Sequence, residues 1–197
     1  MPGILLLGLL TSTLVKAQKA YQVRENDYTI EIEGTSNLHN WSMQTEGVSG
    51  KVLTMWGQNG LEGFKKVNLT VPVKNLESGK RIMNRKTYDV LEAEKHPRIT
   101  FELISVSNWE SSGSEFSGTA TGTLKIAGKS RIMAVPFNGK ILDDNTFRVK
   151  GSFALRMTEF GIDPPTAMLG TLKTGNEVTL DYQVTFNPLN NEVSLHP

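Results

Sequence analysis

A period of two runs through most of this chain. Tyr28, Ile30 and Ile32 alternate with Thr29, Glu31 and Glu33, and Val67, Leu69, Val71 and Val73 alternate with Asn68, Thr70, Pro72 and Lys74. Ile99, Phe101 and Leu103 follow, then Leu124 with Ile126, then Met133, Val135 and Phe137. The longest run is Phe147, Val149, Gly151, Phe153, Leu155 and Met157, and Val178, Leu180, Tyr182, Val184 and Phe186 form the last. Successive side chains of a strand point to opposite faces, so this pattern describes strands with one buried and one wet face. Ser111-Ser112-Gly113-Ser114, Ala127-Gly128-Lys129-Ser130, Asp143-Asp144-Asn145 and Thr174-Gly175-Asn176 are turn-forming in composition and predict antiparallel neighbours. Pro72 and Pro136 fall inside strand-like runs and call for an edge, a bulge or an unpaired position.

One segment breaks the alternation. Ser78 to His96 is rich in helix formers, with Ile82, Met83, Tyr88, Val90 and Leu91 as its apolar members and Pro97 as its stop. It predicts one or two short helices between strands, lying across a barrel end. The fold class is therefore all-β with a short helical insertion near residues 78–96. Allowing two more strands from residues 35–56, the count reaches about eight, enough to close an antiparallel barrel around one slender ligand. A packed sandwich would carry the same periodicity, and the pattern does not separate the two.

Composition narrows the function. The chain is 38% hydrophobic and 21% charged with a net charge of +1, which gives no field strong enough to argue for nucleic acid or for an anionic membrane surface. Without cysteine there is no disulfide, thiolate metal site or cysteine nucleophile. Three histidines, His39, His96 and His196, stand at no metal-binding spacing, and no G-x-S-x-G elbow or phosphate loop is present. Residues 4–15 are mostly apolar and lead into Val15-Lys16-Ala17, which places small residues where a signal peptidase reads. The run is too short to cross about 30 Å of hydrocarbon. Residues 1–17 are thus expected to be a signal peptide and 18–197 the mature domain, periplasmic or secreted, with no integral membrane span.

The order of four blocks resembles the YceI-like family. They are Gly34-Thr35-Ser36-Asn37-Leu38-His39-Asn40-Trp41; Asn84 to Leu91 with Lys95-His96-Pro97-Arg98-Ile99-Thr100-Phe101; Gly122-Thr123-Leu124-Lys125-Ile126-Ala127-Gly128; and Phe153 to Ile162, which is similar to an R-x-x-F/Y-G-I signature. The resemblance spans roughly residues 28 to 186. It implies a lipocalin-like eight-stranded barrel whose apolar lumen holds an isoprenoid-type lipid, such as the tail of a quinone or a polyprenyl phosphate. The protein would then be a binding protein and not an enzyme, needing no cofactor and no metal, and homodimers are common among such barrels. A binder of another apolar small molecule, or a barrel enzyme acting on one, is the alternative.

A tail made of methyl and methylene groups gains affinity from apolar area removed from water, about 25 cal/mol per Å². Phe101, Leu103, Leu124, Ile126, Phe137, Phe153 and Leu155 are candidate lumen residues, with Met133 and Met157 adapting to an irregular chain. For any one of them the simpler role is to fill the barrel as packed core. His39 and Trp41 share a face if the strand is regular, and could stack on and hydrogen-bond a head group at the mouth; backbone partners could satisfy them as well. Arg156, beside the lumen run, could pair an anionic head or an internal carboxylate such as Asp89, or serve in a structural ion pair or on the surface. His96, before Pro97, suits a cap or surface role.

Overall fold

The computed structural model describes residues 17–58, 60–142, 145–167 and 171–189. The apolar run at residues 4–15 lies outside them. The described chain forms strands β1 (Ala17–Ser36), β2 (Trp41–Thr45), β3 (Ser49–Gly57), β4 (Gly60–Pro72) and β5 (Leu76–Glu77), then helix α1 (Arg81–Val90). Strands β6 (Arg98–Ser112), β7 (Glu115–Ile126), β8 (Lys129–Ile141), β9 (Phe147–Arg156), β10 (Thr166–Ala167) and β11 (Leu172–Pro188) follow.

Eight of these strands close on themselves in the order β1-β3-β4-β6-β7-β8-β9-β11, with β11 returning to β1, and every pairing is antiparallel. Closure decides for the barrel over the sandwich. It depends on β1, which bends where its register shifts between Val23 and Tyr28, with Asn26 in the left-handed region at φ 58°. Before the bend β1 pairs with β3; after it, Glu31 to Gly34 pair with β2, while β11 is held on both sides of the bend. One long strand thereby belongs to both ends of the barrel.

Local chemistry explains the joints. The β7–β8 hairpin turns on Ala127 and Gly128, both at positive φ (45° and 75°), the two-residue geometry that matches the strand twist. Gly113, at φ 60°, turns β6 into β7. Thr174-Gly175-Asn176 is not a turn. It lies within β11 at a register shift, and the Asn176 amide bonds the Thr158 hydroxyl (2.9 Å) while its carbonyl accepts the Thr158 N–H (3.1 Å). Pro72 ends β4. Pro136 is internal to β8 and pairs with Thr119 of β7, but the β8–β9 ladder runs only from Asn138 to Ile141. The residue that cannot donate therefore stands where β9 asks for no donor.

Helix α1 stops well before Pro97. Glu92 adopts the left-handed conformation (φ 49°), its N–H reaches the Asp89 carbonyl (3.1 Å), and the Ala93 N–H reaches the Tyr88 carbonyl (2.9 Å). This is a Schellman closure built on a glutamate in place of the usual glycine, and it needs no proline.

The interior divides into two apolar clusters. One lies around α1 and includes Met43, Val73, Leu76, Leu124, Leu155, Met157, Phe160 and Val178. The other is aromatic: Tyr21 and Phe147 (ring centroids 4.8 Å apart), Phe147 and Phe186 (4.9 Å), Trp109 and Phe116 (5.3 Å), and Phe64 with Phe137 (5.6 Å) fill the opposite end. Rings packed edge and face in this way close that end of the barrel.

Candidate functional site

Between the two clusters runs an apolar lumen in two chambers. The upper one, of about 1200 Å³, opens under α1; the lower, of about 170 Å³, ends on the aromatic cluster. Ile32, Leu76, Ile99, Leu124 and Leu180 line both chambers and form the neck between them. From Val178 in the upper wall to Phe186 in the lower, β11 advances eight residues. At about 3.4 Å each and a tilt near 40°, the lumen is roughly 20 Å deep.

The lower chamber presents Thr45, Thr100 and Tyr182 as its only polar side chains and no charged one among the described residues. Tyr182 is occupied: its hydroxyl donates to the Pro136 carbonyl (2.9 Å), passing over Gly151, its partner on β9. A Cβ at Gly151 would stand 2.3 Å from that carbonyl and 2.6 Å from the hydroxyl, so only glycine admits the bond. Burial pushes the Tyr182 hydroxyl well above the usual phenol range. These walls offer apolar contact and no acid–base pair.

The mouth is built differently. Trp41, at the start of β2, lays its indole across Gly34 of β1, where a Cβ would lie 2.1 Å from the ring, and donates to the Thr35 carbonyl (3.0 Å). His39 is not in a strand. It belongs to a turn closed by the Ser36 hydroxyl on the His39 carbonyl (2.7 Å) and by the Ser36 N–H on the same carbonyl (3.0 Å). His39 and Trp41 therefore share no strand face, and what they have in common is the opening: Trp41 is half-buried in its wall and His39 exposed at its edge.

Helix α1 covers the opposite side and is clasped to β5 by polar bonds. The Asn84 amide donates to the Glu77 carboxylate, and its carbonyl accepts the Ser78 N–H (2.8 Å) and hydroxyl (2.6 Å). The Tyr88 hydroxyl sits 2.9 Å from Glu77 and within 3.0 Å of the Leu76 and Lys74 carbonyls. Desolvation first, and then the Glu77 carboxylate, raise its pKa. Lys86 reaches across to the Thr166 carbonyl (2.7 Å), tying α1 to β10.

Most of the residues expected in the lumen are on its walls. Ile126, Leu155 and Met157 line the upper chamber, Phe101, Phe137 and Phe153 the lower, and Leu124 both. Leu103 and Met133 face inward and pack against the clusters without reaching either chamber. Arg156 is a correction. It is exposed on the outer face, paired in register with Glu177, because it follows inward-facing Leu155 in a regular strand. Asp89 is exposed as well. His96 packs on Gly128, with its ring 3.9 Å from the Glu92 carboxylate. Sequence reasoning missed Met43, Leu76, Ile162 and Leu172 in the upper wall, together with the α1 residues Arg81, Ile82, Met83 and Arg85. Those on α1 had a signal, since the helix was expected across a barrel end.

Among the described residues no three His, Cys, Asp or Glu side chains gather at a metal-binding distance, and no helix is long and apolar enough to cross a membrane. Comparison with curated proteins by sequence finds no match. Among solved structures, a polyisoprenoid binding domain from Saccharophagus degradans implicated in plant cell wall breakdown is similar at TM-score 0.67 and 12% identity, over 87% of this chain and 99% of that one. BcnA from Burkholderia cenocepacia is similar at TM-score 0.63 and 16% identity, over 80% of this chain and 95% of that one. The YCEI protein of Campylobacter jejuni gives 0.55 and 15%, over 75% and 84%. A family model described as the YceI-like domain matches residues 21–186, the whole barrel from β1 to β11, and the chain belongs to that family.

Proposed function

We propose that this protein is an exported carrier that holds the tail of an isoprenoid-type lipid, a quinone or a polyprenyl phosphate, in its barrel lumen and catalyses no reaction on it. The observation that carries this reading is a lumen bordered at one end by aromatic rings, mostly apolar along its length, and lined by charged side chains only at its mouth among the described residues. At about 30 Å³ per heavy atom, the liquid-water share, the upper chamber has room for roughly 40 heavy atoms and the lower for about six. That is the scale of a long lipid tail, beyond the usual drug-sized site. Export is read from residues 1–17, and the polyisoprenoid-binding description of the Saccharophagus domain supports the ligand class.

The test is native mass spectrometry of the mature protein purified from its own host, followed by organic extraction. A stoichiometric adduct with isoprene mass spacing is the expected result. Protein that arrives empty, and then takes up neither quinones nor polyprenols, would overturn it. A fatty acid or another apolar molecule in the extract would move the assignment to that class.

A further inference from the structure

Of the four large apolar side chains that stand most exposed among the described residues, two belong to elements bordering the lumen mouth. Leu38 (66% exposed) sits in the turn whose Ser36 and His39 line the opening, and Ile82 (69% exposed) sits in the first turn of α1 and lines the opening itself. Burying such a side chain away from water is favourable, a gain both forgo in the folded protein. The same opening gathers charge of one sign. Lys80, Arg81, Arg85 and Lys86 line it against a single carboxylate, Glu77, which Asn84 and Tyr88 already engage. Lys86 bonds the Thr166 carbonyl, whereas Lys80, Arg81 and Arg85 are exposed and form no ion pair among the described residues. Residues 78–88 contain no acid, and Asp89 and Asp163, which neighbour the lining residues Tyr88 and Ile162 in sequence, are exposed. In a chain of net charge +1 this is a local concentration.

We propose that the mouth rim is a docking surface for an anionic phospholipid bilayer, with Ile82 and Leu38 entering the interface and Lys80, Arg81 and Arg85 resting on lipid phosphates. A basic helix with an exposed apolar residue is the chemistry that lies in a membrane interface. Charge attraction acts within a Debye length, about 8 Å at physiological salt, so side chains on the rim feel the surface and those at the closed end do not. A bilayer touching both elements would cap the opening with its own hydrocarbon, so that a tail could pass without crossing water. The docking concerns the rim and does not require a loaded lumen, so it can fail while the carrier reading stands, and the reverse.

The experiment is co-flotation of the full mature chain with vesicles of phosphatidylcholine alone and of phosphatidylcholine with phosphatidylglycerol in equal parts. Binding to the anionic vesicles, weakened by salt, is expected. Each Lys or Arg near an anionic surface is worth about 1 kcal/mol, so Arg81→Gln and Arg85→Gln should each weaken binding about fivefold. Leu38→Ser combined with Ile82→Ser should weaken it at least tenfold, while Lys140→Gln, on the wall near the closed end, should change nothing. All these side chains are exposed, and unchanged circular dichroism and melting will establish that the variants fold. No flotation with anionic vesicles, equal binding to both compositions, or equal sensitivity to Lys140→Gln would overturn the proposal. Binding unaffected by the rim variants would do the same and would leave a protein partner as the rim's occupant.

Discussion

The neck between the chambers gives the most specific test of how the lumen reads its ligand. Leu180 of β11 lines both chambers and is flanked in register by Phe153 of β9 and Ile32 of β1. Leu180→Trp would project an indole into open space, so it should close the neck without overpacking a filled core. The lower chamber it cuts off, about 170 Å³, holds about six heavy atoms, which is one isoprene unit with its methyl branch. At about 0.8 kcal/mol per buried carbon, excluding that unit removes about 4 kcal/mol, before the ordering cost that the bound tail no longer bears. The measured loss should therefore fall between roughly tenfold and a thousandfold in Kd. It should apply only to ligands long enough to pass the neck. Isothermal titration with quinones of short and of long isoprenoid tail reads both affinities on one protein. Equal weakening of both ligands would mean general damage, and no weakening of either would mean that tails stop above the neck. Either result refutes the two-chamber account.

Asn84→Ala should leave the Ser78 N–H without its partner and Glu77 with Tyr88 alone, costing about 1–3 kcal/mol and loosening α1; hydrogen exchange should quicken across residues 81–90 and stay unchanged in β6 to β8. Gly151→Ala drives a methyl against the Pro136 carbonyl and the Tyr182 hydroxyl, so a loss of about 2–4 kcal/mol is expected in urea unfolding, and a loss under 1 would contradict the tight crossing. Tyr182, Tyr21 and Tyr88 all have raised pKa values, each chiefly through burial, so the folded state keeps protons that the unfolded chain releases near pH 10. Stability should be level below that pH and fall as pH rises above it, by up to about 1.4 kcal/mol per unit for one group. Tyr182→Phe should flatten the decline in a pH series of urea midpoints, and an unchanged slope would place the sensitivity elsewhere.

Alternation made the strands legible because burial on one face acts at every second residue, and the inward positions of β9 follow it throughout. The same rule sets Arg156 on the face opposite Leu155 and Met157, and it is exposed there. Closure was not legible, because it rests on β1 meeting β11 across the length of the chain and on a bend at Asn26 whose side chains look like ordinary surface. His39 escaped the strand pattern for a related reason: Ser36 bonds its backbone and makes a turn, a competition that short hydroxyl side chains win locally. Thr174-Gly175-Asn176 went the other way, its turn-forming residues absorbed by a bulge within β11. The walls of the upper chamber were only partly legible. Leu103 and Met133 obey the same parity as Leu124 and Phe153, and which of them meets empty space depends on their depth along the barrel, which periodicity does not carry.

The lumen also has a consequence for stability. Empty apolar space costs about 24 cal/mol per Å³ in a core that cannot collapse, so the lower chamber alone withholds about 4 kcal/mol from the folded state. The wall cannot relax to recover it, since the chamber is ringed by a closed sheet and floored by packed aromatic rings. Counting carbons of a buried tail gave the same figure, as it should: a single isoprene unit regains in contacts about what the cavity gave up. Stability and occupancy are then linked, because a ligand that binds only the folded barrel adds to its stability in proportion to how far its concentration exceeds Kd. Outside that linkage stands α1, which is held to the rim by the Glu77, Asn84 and Tyr88 clasp and by the Lys86 bond to the Thr166 carbonyl, and not by the ladder of the sheet.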